Sequence, residues 1–161
     1  MAYSIDLNVI WLTAIRTSTR SCGEIQRFFN FTDIGHTLTV TDKGKDFYII
    51  LNVMNPYKRM VSIYYLENIG KKTSTNLFRE WVVDRMNSIH DSQDQILLSG
   101  VANRLPKLPD YYVRVESLEK DIRNIPFIKN NMSTDLENII QHNIVTNRYK
   151  DEFGNLSLIH I

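Results

Sequence analysis

Cysteine is almost missing from this chain. Cys22 is the single one in 161 residues, which excludes an internal disulfide and fits a reducing compartment. An excess of either charge sign is missing too. With 19 Lys and Arg against 18 Asp and Glu, the formal net charge is +1, which argues against a nucleic-acid binder relying on a strongly basic surface. Any anionic ligand must then be held by local groups. No apolar run is long enough to span a bilayer, and the N-terminus lacks a basic flank followed by an apolar signal core. The expectation is a cytoplasmic protein without a membrane span. Repeats and low-complexity linkers are also lacking. Against these absences, an apolar share of 43% provides for a real core, and the length predicts one domain over 1–161.

The apolar pattern alternates between strand and helix periods. Leu7 to Leu12 reads as a short strand, and Ser21 to Phe29 as a helix with Ile25, Phe28 and Phe29 on its inner face. His36 to Thr41 alternates like a strand, Asp42-Lys43-Gly44-Lys45 reads as a turn, and Phe47 to Val53 is a buried strand. Asn55 then caps a helix with Pro56 at its first position, where the missing N–H costs nothing. Thr75 to Ile89 is amphipathic, with Phe78, Val82, Met86 and Ile89 in one stripe. Tyr111 to Val115 is a strand introduced by the Pro106 and Pro109 loop. Thr134 and Glu137 form a capping-box pattern that opens a long last helix, with Leu136, Ile139, Ile140, Ile144 and Val145 inward. This alternation predicts a three-layer α/β domain with a mainly parallel central sheet flanked by helices, its ligands beyond the carboxyl ends of the strands. Trp11 and Trp81 read as core.

Two loops carry chemistry. At the Asn55 cap, free backbone N–H groups and the positive end of the helix dipole converge, and Arg59 and Ser62 return to the same helical face. Arg59 is equally suited to a phosphate and to a carboxylate such as Glu116. Ile15-Arg16-Thr17-Ser18-Thr19-Arg20-Ser21 places two guanidinium groups and four hydroxyls between a strand and a helix, a composition suited to phosphate or sulfate. This stretch lacks the glycines and the Lys-Ser/Thr pair of a Walker A loop, and no Mg²⁺-binding Asp pattern appears. A P-loop phosphotransferase therefore ranks last.

Val53-Met54-Asn55-Pro56-Tyr57-Lys58-Arg59 through Ser62 and Tyr64 resembles the 3′-phosphate motif of sulfotransferases, which commonly reads V-R-N-P-Y-x-R-x-x-S-x-Y. Arg16 to Ser21 resembles the 5′-phosphosulfate loop of the carbohydrate-type members, commonly P-K-T-G-G/S-T-S, with Arg16 at the Lys, Thr17 at the Thr, Ser18 replacing the Gly, Arg20 replacing the penultimate Thr and Ser21 at the final Ser. Ile89-His90-Asp91-Ser92-Gln93 resembles H-x-x-P-Q, Tyr112 to Leu118 resembles V-x-R-x-E-D-L, and Tyr149 to Gly154 resembles Y-x-x-D-F-x-x-F-G, all in the family's order.

The resemblance implies a P-loop-like domain that binds 3′-phosphoadenosine 5′-phosphosulfate (PAPS) or adenosine 3′,5′-bisphosphate (PAP) through Arg16, Thr17, Ser18, Thr19, Arg20, Ser21, Asn55, Arg59 and Ser62. The acceptor would be a hydroxyl on a carbohydrate or glycoconjugate. Arg16 would hold the leaving 5′-phosphate, and His36, His90 and Glu116 are the candidate bases. The family's 3′-phosphate Arg is Met54 here, which has neither donor nor charge. Ser62, Arg59, Arg123 and Lys129 are the candidates to compensate. Met54, Ser18 and Arg20 also motivate an alternative: a nucleotide-binding or interaction module of the same fold without turnover.

Overall fold

The computed structural model describes residues 2–13, 19–33, 46–88, 105 and 107–146 of the chain. They form a mixed α/β fold around a five-stranded sheet. In chain order the elements are β1 (Ala2–Ser4), β2 (Val9–Thr13), α1 (Thr19–Phe28), β3 (Thr32–Asp33), β4 (Tyr48–Val53), α2 (Pro56–Glu67) and α3 (Thr75–Ser88). There follow β5 (Tyr111–Arg114), a 3₁₀ turn at Val115–Ser117, α4 (Leu118–Arg123), α5 (Pro126–Asn130) and α6 (Thr134–Ile140), which runs into a π-helical stretch at Gln141–Thr146.

The strands lie in the order β3-β1-β2-β4-β5. β2, β4 and β5 are parallel, with Thr13 beside Asn52 and Val53 beside Arg114. β1 pairs antiparallel with both β2 and β3, so the described sheet is mixed rather than mainly parallel. The cause is a hairpin that the apolar pattern does not announce. Ile5 to Asn8 turn the chain back, Asn8 takes the left-handed φ of 54° that Asn tolerates well, and its N–H donates to Ile5 O at 3.0 Å. Leu7 accordingly lies in the turn, and the strand begins at Val9.

Parallel neighbours have no hairpin to set their register, and here polar side chains at the strand starts do it. Asn8 Nδ2 donates to Asp46 O while Tyr48 N donates to Asn8 O, both at 2.8 Å. Ile49 N donates to Asp110 Oδ2 at 2.7 Å, and Asp110 N donates back to Ile49 O at 2.8 Å.

Both sheet faces are buried, which explains why β2 and β4 read as continuous apolar runs. One face carries the larger core: Val9, Trp11, Ile50 and Val113 pack with Ile25 of α1 and with Ile122, Ile128, Leu136 and Ile140 of α4 to α6. The other carries Ile10, Leu12, Ile49 and Leu51. Ile25 is inward as its spacing predicts and Phe29 is partly buried against the core, whereas Phe28 is 38% exposed, stacked edge-on against Phe29. Trp11 is fully buried. Trp81 instead joins a satellite cluster between α2 and α3, with Tyr64 and Phe78, and donates to Glu67 Oε2 at 2.9 Å.

The last helix is capped one residue earlier than the Thr134–Glu137 pattern predicts. Ser133 is the N-cap, its Oγ accepting from Leu136 N at 3.2 Å, and Glu137 turns outward to Arg123. Leu136, Ile140 and Ile144 are buried as their spacing requires, and Ile139 is partly so. The predicted strand at His36 to Thr41, the turn at Asp42 to Lys45, Pro106 and the Tyr149 to Gly154 stretch lie outside the described residues, as do the side chains of Met86 and Val145. Among the described residues no helix is long and apolar enough to cross a membrane.

Candidate functional site

The carboxyl ends of β2, β4 and β5 reach one edge of the sheet, and three polar features follow them. The first is the α2 cap. Asn55 Oδ1 accepts from Tyr57 N at 3.0 Å and Lys58 N at 3.3 Å, and Asn55 O accepts from Arg59 N at 2.9 Å. With Pro56 at the next position, the first turn of α2 is satisfied by its own cap. Asn55 is exposed, Met54 and Ser62 are half-buried, and Arg59 is only 3% exposed, its guanidinium carried inward by the helix.

The second feature is Glu116, in the 3₁₀ turn after β5. Its Oε1 accepts from Asn55 N at 2.8 Å, so a carboxylate bridges 61 residues to the start of α2. A negative group at that point is favoured by the helix dipole. The bond brings together two of the residues singled out in the sequence, Asn55 and Glu116.

The third is the first turn of α1, seated by a buried polar relay. Trp11 Nε1 donates to Asn52 Oδ1 at 2.8 Å, and Asn52 Nδ2 donates to Cys22 Sγ at 3.2 Å. All three residues have no exposure. Burial pushes the Cys22 thiol up to about 12, against a smaller opposing pull from the Asn52 hydrogen bond, so it is neutral at physiological pH. Ser21, half-buried, is its chain neighbour and so stands near the end of β4.

Comparison of the chain with protein-family models, curated proteins and solved structures gives no significant match. The reading of the site therefore rests on this chain's own geometry.

Of the residues singled out in the sequence, Asn55, Arg59, Ser62, Glu116 and Ser21 are placed by that geometry. Arg16, Thr17, Ser18, His36 and His90 lie outside the described residues, as do the side chains of Thr19 and Arg20. Arg123 is engaged elsewhere: it binds Glu137 at 2.5 and 2.8 Å and Glu119 at 3.1 Å, joining α4 to α6. Lys129 is exposed in the last turn of α5. Sequence reasoning missed Asn52, Cys22 and Asp121. Asn52 does carry a signal, as a lone amide inside an apolar strand run. Asp121 accepts from Arg114 N, Nε and Nη2 at 2.8 to 2.9 Å and fixes the turn that presents Glu116. The Arg114 guanidinium holds the Asp121 carboxyl below the usual carboxylate range, outweighing the cost of burial.

Proposed function

We propose that this chain is a sulfotransferase-like protein of three-layer, P-loop-like architecture. It binds PAPS at the carboxyl edge of β2, β4 and β5 and moves the sulfuryl group to a hydroxyl of a carbohydrate or glycoconjugate. The observation that carries this reading is the parallel register of Thr13, Asn52 and Val113, which brings to one edge the end of β2, the Asn55 cap and the Glu116 turn. Parallel α/β sheets bind ligands at that edge.

In the proposed reaction the acceptor oxygen attacks sulfur in line, the bond from sulfur to the 5′-phosphate oxygen breaks, and the acceptor proton passes to a base. Arg16 neutralises the leaving phosphate, and His36, His90 and Glu116 are the candidate bases. Arg59, Ser62 and Asn55 with the Thr17 to Ser21 stretch are the nucleotide-binding candidates. Calorimetric titration with PAP beside ATP and Mg²⁺ tests the reading: preference for PAP supports it, and preference for ATP with Mg²⁺ overturns it. Arg16→Ala should abolish transfer and leave the fold intact; unchanged PAP binding and activity in that variant would sink the assignment.

A second reading, a nucleotide-binding or interaction module without turnover, is favoured by one observation. The α2 donors that would meet a phosphate are already taken by Asn55, and the Glu116 carboxylate sits at the same helix start. PAP binding without sulfuryl transfer to any hydroxyl acceptor would decide for this second reading.

A further inference from the structure

The Trp11, Asn52 and Cys22 relay is a fully buried polar line through an otherwise apolar core, and burying such groups is tolerated only when they are paired. Its direction is dictated by chemistry. An indole N–H can only donate, so the Asn52 amide oxygen must face Trp11, and that turns the amide NH₂ toward Cys22. One side chain thus ties β2, β4 and α1 together. The partners lie 41 and 30 residues away in sequence, and the tie sits at the carboxyl end of β4, three positions before the Asn55 cap.

Elsewhere α1 enters the core through Ile25, an apolar contact, and apolar packing tolerates sliding better than a directional hydrogen bond does. The relay is therefore where the height and rotation of α1 are specified. We propose that Asn52 is a positioning residue. It holds the first turn of α1 against the ends of β2 and β4 and couples that turn to the α2 cap. The positioning stands on geometry alone; its consequence for nucleotide affinity rests on the function proposed above.

Hydrogen exchange read by mass spectrometry on the full chain tests it, with the variants Asn52→Leu, Cys22→Ala and Cys22→Ser. Losing the Asn52 to Cys22 bond should speed exchange across Thr19 to Glu24 about ten-fold in Cys22→Ala, and at least as much in Asn52→Leu, which also loses the Trp11 bond, with α6 protection unchanged. Cys22→Ser, whose hydroxyl accepts from the same NH₂, should keep wild-type exchange. Unchanged α1 exchange, or α1 and α6 loosening in step, would overturn the proposal. Should Asn52→Leu fail to fold, the Cys22 pair decides alone.

A calorimetric arm uses PAP on the same proteins. Cys22→Ala should weaken binding about ten-fold and Cys22→Ser should not, and equal affinities would refute the coupling. If the wild-type chain does not bind PAP, the proposed function fails, while the exchange measurement still decides the positioning role.

Discussion

Asp121 does more at the residue scale than its place in a short helix suggests. It collects one backbone and two side-chain donors from Arg114, and its own carbonyl accepts from Tyr111 Oη at 2.9 Å. Asp121→Ala should cost about 1–3 kcal/mol, because it leaves the part-buried Arg114 backbone N–H without its acceptor. Its folded-state pKa is depressed below the ordinary 3.8, so the stabilisation is complete above that value and is lost as pH falls through the folded value. Urea denaturation of wild type and variant should therefore differ most near neutrality and converge in acid. A difference that holds constant with pH would contradict the ion-pair account. Cys22 should be inert to thiol reagents in the native state and react only on unfolding, because the thiol is buried and neutral. Rapid native labelling would show that α1 does not hold Cys22 against Asn52.

Helix starts separate local signals from tertiary ones at the scale of elements. Asn55 caps α2 as its position before Pro56 predicts, and Asn55→Ala should cost about 1 kcal/mol by losing two side-chain to backbone bonds. At α6 two adjacent hydroxyl residues compete for the cap. Ser133→Ala should cost about 1 kcal/mol, and Thr134→Ala should change stability by only a few tenths. Equal effects in chemical denaturation would contradict Ser133 as the cap. Ser133 takes the role because its backbone is still extended, at φ −124° and ψ 167°, which leaves its Oγ facing Leu136 N, while Thr134 is already helical. The Arg123 hydrogen bond also holds the Glu137 carboxyl below its ordinary range, adding to the acid sensitivity of the α4 to α6 contact.

Across the whole molecule, the departure at Met54 becomes a test of the site. Met54 is half-buried between Val53, which ends β4, and the Asn55 cap. If PAP binds at this edge, Met54→Arg should tighten it by about ten-fold to a hundred-fold, since a charge-assisted bond to the 3′-phosphate contributes about 1.5–3 kcal/mol. The gain should shrink with added salt and be absent for adenosine 5′-phosphate, which has no 3′-phosphate. Equal tightening of both nucleotides would indicate general charge attraction and would remove the argument for a 3′-phosphate site.

Much of the element inventory is determined by the sequence alone, because strand and helix periods and cap chemistry involve residues within a few positions of each other. The apolar run into Asn55-Pro56, the Ile25 face of α1 and the Leu136, Ile140 and Ile144 spacing all carry their structure locally. Tertiary structure decided what depends on distant partners. The antiparallel β1 edge rests on one short turn at Ile5 to Asn8, and a three-residue strand has no readable period. The choice between Ser133 and Thr134 was made by the backbone, which is extended at Ser133 and helical from Thr134. The Trp11 to Asn52 to Cys22 relay and the Glu116 bond to Asn55 join residues 30 to 61 positions apart, and hydrogen bonds of that range exist only once β2, β4 and β5 lie side by side. Chemistry at each position was thus legible one residue at a time, whereas which groups share a site depended on strand direction and register.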